Sequence, residues 1–182
     1  MLVLVVGPSG AGKDSLLDGA RHALAGDARF RFVRRVVTRP EAAGGEAHEA
    51  ADEAGFAARK AAGGFSLDWR AHGLGYGIPA DIAADIAAGR VVVANVSRGV
   101  IAQAAEKFPV RVIVVTAPRE VLARRLAMRG RETEADIAER LDRAVALPPG
   151  VEVETLVNDA SLEEGVARFL VALNRAAEAA RR

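Results

Sequence analysis

The chain opens on "LVLVV" and runs directly into "GPSGAGKDS", residues Gly7 to Ser15. A short, continuous apolar run rich in β-branched residues reads as a parallel strand buried on both faces, central in its sheet. Glycines at 7, 10 and 12 let the backbone take positive φ and converge several N–H groups on one point. The helix predicted from Lys13 to about Ala25 adds the positive end of its dipole there. Leu16, Leu17, Ala20 and Leu24 share one face of that helix, and Gly26 supplies its stop. Strand, glycine-rich loop and helix in this order form a phosphate cradle, with Gly7, Pro8, Ser9, Gly10, Ala11, Gly12, Lys13, Asp14 and Ser15 as its nucleotide-binding residues. Lys13 would reach the β and γ phosphates. As a mere strand-to-helix turn the segment would leave a cation opposing the helix dipole, and a bound anion removes that misfit.

The pattern G-x-x-x-x-G-K-[ST] departs at its last position, where Asp14 stands. In the usual loop a hydroxyl here ligates Mg²⁺ and a carboxylate at another strand end supports the metal. The corresponding strand end, "VVVANVSRG", offers Asn95 and no Asp. Asp14 is therefore read as the metal-directed carboxylate that position 95 lacks, with Ser15 in the hydroxyl role. The plainer alternative is that Asp14 only favours the helix start, as acidic residues do.

Further along, "FRFVRRVVT" alternates like one strand with Arg35, Val37 and Arg39 on the same side. Pro40 to Glu53 reads as a mobile loop, Ala50 to Ala62 as a helix, "FSLDW" as a short strand before the glycine-rich "HGLGYGIP", and Asp81 to Ala88 as a helix ended by Gly89. "VVVAN" and "VRVIVVT" are two more buried strands joined by a crossover helix over Ser97 to Lys107. Helices follow over Pro118 to Arg129 and Glu134 to Val145, then a strand "VEVETLVN". Ser161 and Glu164 make a capping box for the closing helix, and the polar tail after Asn174 is expected to fray. This alternation implies an α/β fold with a mainly parallel sheet.

Composition narrows the function. Basic and acidic residues number 25 and 24, which gives no bulk reason to expect nucleic acid. With no Cys, disulfides, thiolate chemistry and cysteine-held zinc drop out. The first apolar run ends at Gly7, too short to span a membrane, and no basic leader precedes it. A soluble cytoplasmic protein is expected.

Five stretches in order, "GPSGAGKDSLL", "VVTRPEAAGGEAHE", "FSLDWRAHGLGYGIP", "VVVANVSRG" and "RLAMRGRE" with "IAERL", resemble the guanylate kinase-like branch of P-loop kinases, and more closely the ribose 1,5-bisphosphate phosphokinases of phosphonate catabolism. The resemblance implies a three-layer P-loop NTPase fold, guanylate kinase-like, over 1–182 as a single domain. Within it, about 35–80 is the substrate-binding region and about 125–140 the lid. It implies ATP and Mg²⁺ as cofactors and phosphorylation of ribose 1,5-bisphosphate to 5-phosphoribosyl 1-diphosphate.

Arg39 matches the phosphate-holding Arg of guanylate kinases, and Tyr76 the Tyr that contacts substrate phosphate there. Arg35, Arg39, Ser97 and Arg98 suit the phosphates of a bisphosphate, since guanidinium groups capture phosphate oxygens in pairs; each Arg alone would read as a solvated strand edge. Glu46 and His48 are candidates for the sugar hydroxyls, although an exposed loop His often does nothing. Trp69 and His72 could shape the same pocket, with Trp69 read as core. Arg129 and Arg140 are expected as catalytic lid residues beside Lys13 and Asp14, with Arg125 and Arg131 on the same lid. Asn158 and Asp159 fall where such kinases pass the adenine.

Where guanylate kinases follow "YG" with a hydroxyl residue that helps read guanine, this chain has Ile78, which argues against a purine acceptor. Two rivals remain: a GMP kinase, and a non-catalytic guanylate kinase-like binding module. The partners implied are a small-molecule sugar phosphate, with no nucleic acid and no membrane. A homodimer is left open.

Overall fold

Strand β1 (Leu2–Val6) has no exposed residue, because it is paired on both edges and covered on both faces. In the computed structural model, which describes residues 1–41, 47–127 and 148–181, β1 lies between β7 (Val91–Asn95) and β8 (Val110–Thr116). Beyond them stand β2 (Phe30–Phe32) and β9 (Glu152–Val157), in the order β2-β7-β1-β8-β9, every pairing parallel. Parallel strands need crossovers, and helices supply them on both faces. On one face α1 (Lys13–Ala23) and α6 (Leu162–Ala179) pack with α5 (Arg119–Ala127) over Val3, Val5, Ile113 and Val115. On the other, α3 (Ile82–Ala87) and α4 (Ile101–Lys107) cover Leu2, Leu4, Val92 and Val112. The three-layer α/β expectation holds.

A second sheet, ordered β4-β3-β6-β5, stands beside the first: β3 (Val36–Val37), β4 (Glu49–Ala50), β5 (Phe65–Ala71) and β6 (Leu74–Pro79), with α2 (Glu53–Ala61) capped by Asp52. Here the expectations need correction. "FRFVRRVVT" is not one alternating strand: β2 ends at Phe32, Val33 is buried in the core, and the chain passes to the second sheet, where Val36 and Val37 are both buried. The "HGLGYGIP" loop is mostly strand β6. Its two-residue turn, His72 (φ 51) and Gly73 (φ 74), has positive φ at both positions, as a tight hairpin of right-handed twist requires. Gly77 belongs in that strand because Phe65 lies over it, 2.5 Å from where a Cβ would stand. Of the loop read over Pro40 to Glu53, Glu49–Ala50 form β4 and residues 42–46 lie outside the described residues, as does the helix expected over Glu134 to Val145.

The Ser161 capping box forms, with Ser161 Oγ accepting from Glu164 N at 3.2 Å and the Glu164 carboxylate accepting from Ser161 N at 3.1 Å. The tail does not fray at Asn174. Helix α6 continues to Ala179 because Ala176 and Ala177 close into the core, each methyl contributing about 0.8 kcal/mol.

The edge strand β2 is tied to α3 by Asp85, which accepts from Arg31 and, at 2.6 Å, from Arg90. The Arg31 hydrogen bond, with the charges of Arg31 and Arg90, holds the Asp85 carboxyl below the usual carboxylate range. A depressed carboxylate contributes stability that is complete above its unfolded value of about 3.9 and is lost as pH falls through the lower folded value. Asp85→Asn is expected to cost about 1–2 kcal/mol near neutrality. For a chain of this size that is a fall of roughly 2–8 °C in Tm. The gap to wild type should close as the pH drops below about 4. A gap of constant size down to strongly acid pH would remove the ion pair as its cause.

Candidate active site

The registers Val5↔Asn95 and Val6↔Val114 bring the carboxyl ends of β1, β7 and β8 to one level. Residues 7–12 leave that level and open a cavity of about 660 Å³ at the junction of the two sheets. Gly10 (φ 82) and Gly12 (φ 85) hold the left-handed conformation in the loop, and Gly12 caps α1 with no side chain in the way. The first amides of α1 are thus presented to the cavity without a protein partner from the cap. Gly7, Pro8, Ser9, Gly10, Gly12, Lys13, Asp14 and Ser15 all line it. Ala11 does not: its methyl is fully buried in the core and only its backbone belongs to the loop.

Lys13 Nζ donates to the carbonyl oxygens of Gly7 and Pro8, at 2.9 and 3.0 Å, and so closes the loop around its own ammonium. Asp14, one residue on, accepts at Oδ1 from Asn95 Nδ2 at 3.1 Å. The carboxylate and the amide that stand in unusual places in the sequence are direct partners in space. Among the described residues no group of three or more His, Cys, Asp or Glu side chains gathers to hold a metal. The donors at hand fit a hard ion shared with phosphate: Asp14 is a carboxylate on the cavity wall and Ser15 an exposed hydroxyl beside it.

The opposite wall comes from the second sheet. Trp69 and Tyr76 are cross-strand partners of β5 and β6, stacked with ring centroids 5.2 Å apart and planes 8° from parallel. Arg35 sets its guanidinium 5.3 Å from the Tyr76 ring centroid. Trp69 meets both expectations: partly buried, it packs against the core, and strand pairing sets it against Tyr76 where it also lines the cavity. Ser97 and Arg98 follow β7 into the same cavity, Ser97 Oγ accepting from Gly99 N at 3.4 Å. Among the described residues, Lys13, Arg35, Arg98 and Arg119 give the cavity four cationic side chains against the one carboxylate of Asp14. His72, read from the sequence as a residue that could shape this pocket, lines the cavity at the hairpin tip, and so does Arg119 at the start of α5, which sequence reasoning did not assign. The proximity of Arg119 to the loop follows only from β8 lying next to β1.

Several expected site residues lie elsewhere. Arg39 and His48 are not on the cavity wall. His48 is no exposed loop residue: it is buried, its Nε2–H donates to Arg39 O at 3.0 Å, and Arg39 Nη2 donates to its Nδ1 at 3.4 Å. The pair ties the end of β3 to β4. Ile78 is fully buried in the core, so its side chain does not reach the acceptor side. Arg125, expected on a lid, stands on α5 and donates to Asn158 O at 3.1 Å and Gly10 O at 3.5 Å. Asn158, expected near adenine, is buried, with Nδ2 donating to Ala11 O at 2.8 Å. Glu46, Arg129, Arg131 and Arg140 lie outside the described residues.

No protein-family model matches the chain. It is 48% identical over 177 residues to ribose 1,5-bisphosphate phosphokinase PhnN of Brucella abortus, covering 96% of this chain and 92% of that protein. To the protein of the same name from Methylobacterium radiotolerans it is 51% identical over 173 residues, covering 94% and 96%. It is also 54% identical over 171 residues to the bifunctional ribose 1,5-bisphosphokinase-thymidine phosphorylase of Cupriavidus necator, of which it spans 28%. Among solved structures, guanylate kinase from Anaplasma phagocytophilum superposes with a TM-score of 0.66 at 18% identity, covering 96% of this chain and 85% of that one. A gluconokinase from Sinorhizobium meliloti superposes at 0.54 and 19% identity, covering 97% and 93%. At those identities the likeness is one of fold, whereas identity near one half over almost the whole length of single-function relatives makes this chain a member of the ribose 1,5-bisphosphate phosphokinase family, on a guanylate kinase-like P-loop fold.

Proposed function

We propose that the chain transfers the γ-phosphoryl group of ATP to the 1-phosphate of ribose 1,5-bisphosphate, releasing ADP and 5-phosphoribosyl 1-diphosphate. The observation that carries this reading is one cavity lined by the phosphate loop on one side and by Arg35, Tyr76 and Arg98 on the other. A bis-anionic sugar calls for such a density of guanidinium groups, because each phosphate is recognised by charge-assisted hydrogen bonds. The names of the family members cited above point the same way.

In the proposed step an oxygen of the acceptor 1-phosphate forms the new bond to the γ-phosphorus. The bond from that phosphorus to the β–γ bridging oxygen breaks, and ADP leaves with its electron pair. A phosphate monoester has its second pKa near about 6, so the nucleophile is ionised at neutral pH and no general base is needed. Lys13 neutralises charge on the β and γ oxygens, the loop amides and first turn of α1 hold the β-phosphate, and Arg35, Arg98 and Tyr76 orient the acceptor. Asp14 and Ser15 would hold Mg²⁺, which when bound neutralises the phosphate oxygens. Arg39 and His48 tie the end of β3 to β4, and β3 in turn pairs with β6, which carries Tyr76. The region 35–80 is the acceptor side, Glu46 included, and the residues around 125–140, with Arg129, Arg131 and Arg140, are the segment that would close over the transferring group.

Purified protein with Mg·ATP is expected to release ADP when given ribose 1,5-bisphosphate and not when given GMP. Release with GMP alone would replace this reading by that of a nucleotide kinase, and failure to bind ATP would leave a binding module. Asp14→Asn is expected to raise the Mg²⁺ concentration for half-maximal turnover by about tenfold or more. An unchanged Mg²⁺ dependence would assign Asp14 to the helix start alone.

A further inference from the structure

We infer that Asn158 is a positioning residue for nucleotide binding, which holds the phosphate loop from outside so that the Gly12 amide faces the bound phosphates. The inference deepens the proposed function and rests on ATP being the donor.

Asn158 stands between β9 and α6 and is anchored at three points. Its backbone N–H donates to Thr116 O at 2.7 Å, its side-chain Nδ2 donates to Ala11 O at 2.8 Å, and its own carbonyl accepts from Arg125 Nη1 at 3.1 Å. The same Arg125 nitrogen reaches Gly10 O at 3.5 Å. Two consecutive loop carbonyls, at 10 and 11, are thereby turned away from the cavity.

The peptide bond is planar and trans here, so the N–H on the far side of each plane points opposite to its C=O. Fixing the Ala11 carbonyl outward aims the Gly12 N–H inward, and Gly12 lines the cavity while Ala11 does not. The surroundings make room for this one amide. A Cβ at Gly12 would stand 2.5 Å from Asn158 Nδ2, and one at Gly165, on α6, 2.7 Å from Asn158 Oδ1. The Asn158 side chain is thus held closely between the phosphate loop and α6.

This assignment differs in consequence from an adenine contact at the same position. A brace that aims the Gly12 amide affects ligands that place a β-phosphate in the loop and leaves the base and the α-phosphate alone. Calorimetric titration of the full chain with ADP and with AMP separates the two. Asn158→Leu is expected to weaken ADP about tenfold or more and leave AMP unchanged. In turnover it should raise the KM for ATP, with the KM for the acceptor as in wild type. Should Asn158→Leu fold poorly, Asn158→Asp keeps the shape, replaces the donor with an acceptor facing the Ala11 oxygen, and is expected to give the same split. Equal weakening of ADP and AMP, or ADP binding as in wild type, overturns the inference while the proposed function stands. Wild-type protein that binds neither nucleotide overturns both.

Discussion

Lys13→Met is expected to lower kcat about 100- to 1,000-fold, the loss seen when one preorganised electrostatic donor is removed from a transition state. The change in stability should be small by comparison. Lys13 Nζ makes two hydrogen bonds, to Gly7 O and Pro8 O, and bonds of this kind are worth about 1 kcal/mol each once exchange with water is counted. Against that, a cation in the first turn of α1 opposes the helix dipole, and removing it returns about 0.3–1 kcal/mol. The balance is a loss of about 1–2 kcal/mol, whereas no other group replaces an ammonium between the transferring phosphates. Coupled ADP release alongside thermal unfolding gives both numbers. A kcat within tenfold of wild type, with the fold intact, would remove Lys13 from the transition state and with it the central element of the mechanism.

Gly7→Ala is expected to act the other way round, on the fold before the chemistry. A Cβ at Gly7 would stand 2.0 Å from Val115 O and 3.0 Å from Val115 C, and the backbone there has φ 151. The obstacle is the backbone of β8, pinned between β1 and β9, so no rotamer change relieves it. Strain of this kind costs about 1–3 kcal/mol before the clash is counted, and with the displacement of β8 the total is expected to reach about 3–5 kcal/mol. That is a large part of the roughly 5–15 kcal/mol that holds a domain together. Urea denaturation should show the midpoint falling accordingly. Gly26→Ala is the internal control: nothing lies within 4 Å of a Cβ there, and the substitution should be neutral or slightly stabilising. If Gly7→Ala unfolds at the same urea concentration as Gly26→Ala, the close approach of loop and β8 is not what the geometry indicates.

The elements legible in the sequence share one property: their signal is local. The buried strands β1, β7 and β8 show as unbroken β-branched runs, α1 as an apolar stripe after a glycine-rich loop, and the start of α6 as Ser161 paired with Glu164. Strand β6 was hidden because its glycines carry no apolar pattern, and they are there only because aromatic side chains of α2 and β5 lie over them. The end of α6 was hidden because alanines next to arginines look like a solvated tail, and burial of Ala176 and Ala177 depends on which helix lies opposite.

By itself, the amino-acid order determined that this chain builds a parallel strand, a phosphate-shaped loop and a helix, and that Asp14 and Asn95 are an unusual couple at the two places where such a site uses a hydroxyl and a carboxylate. Only the tertiary structure decided that Asn95 reaches Asp14 across 81 residues and that Asn158 reaches Ala11 across 147. Contacts at such separations leave no periodic trace, since they follow from strand order and register. Those bring the ends of β1, β7, β8 and β9 to one level, where side chains far apart in the chain become neighbours.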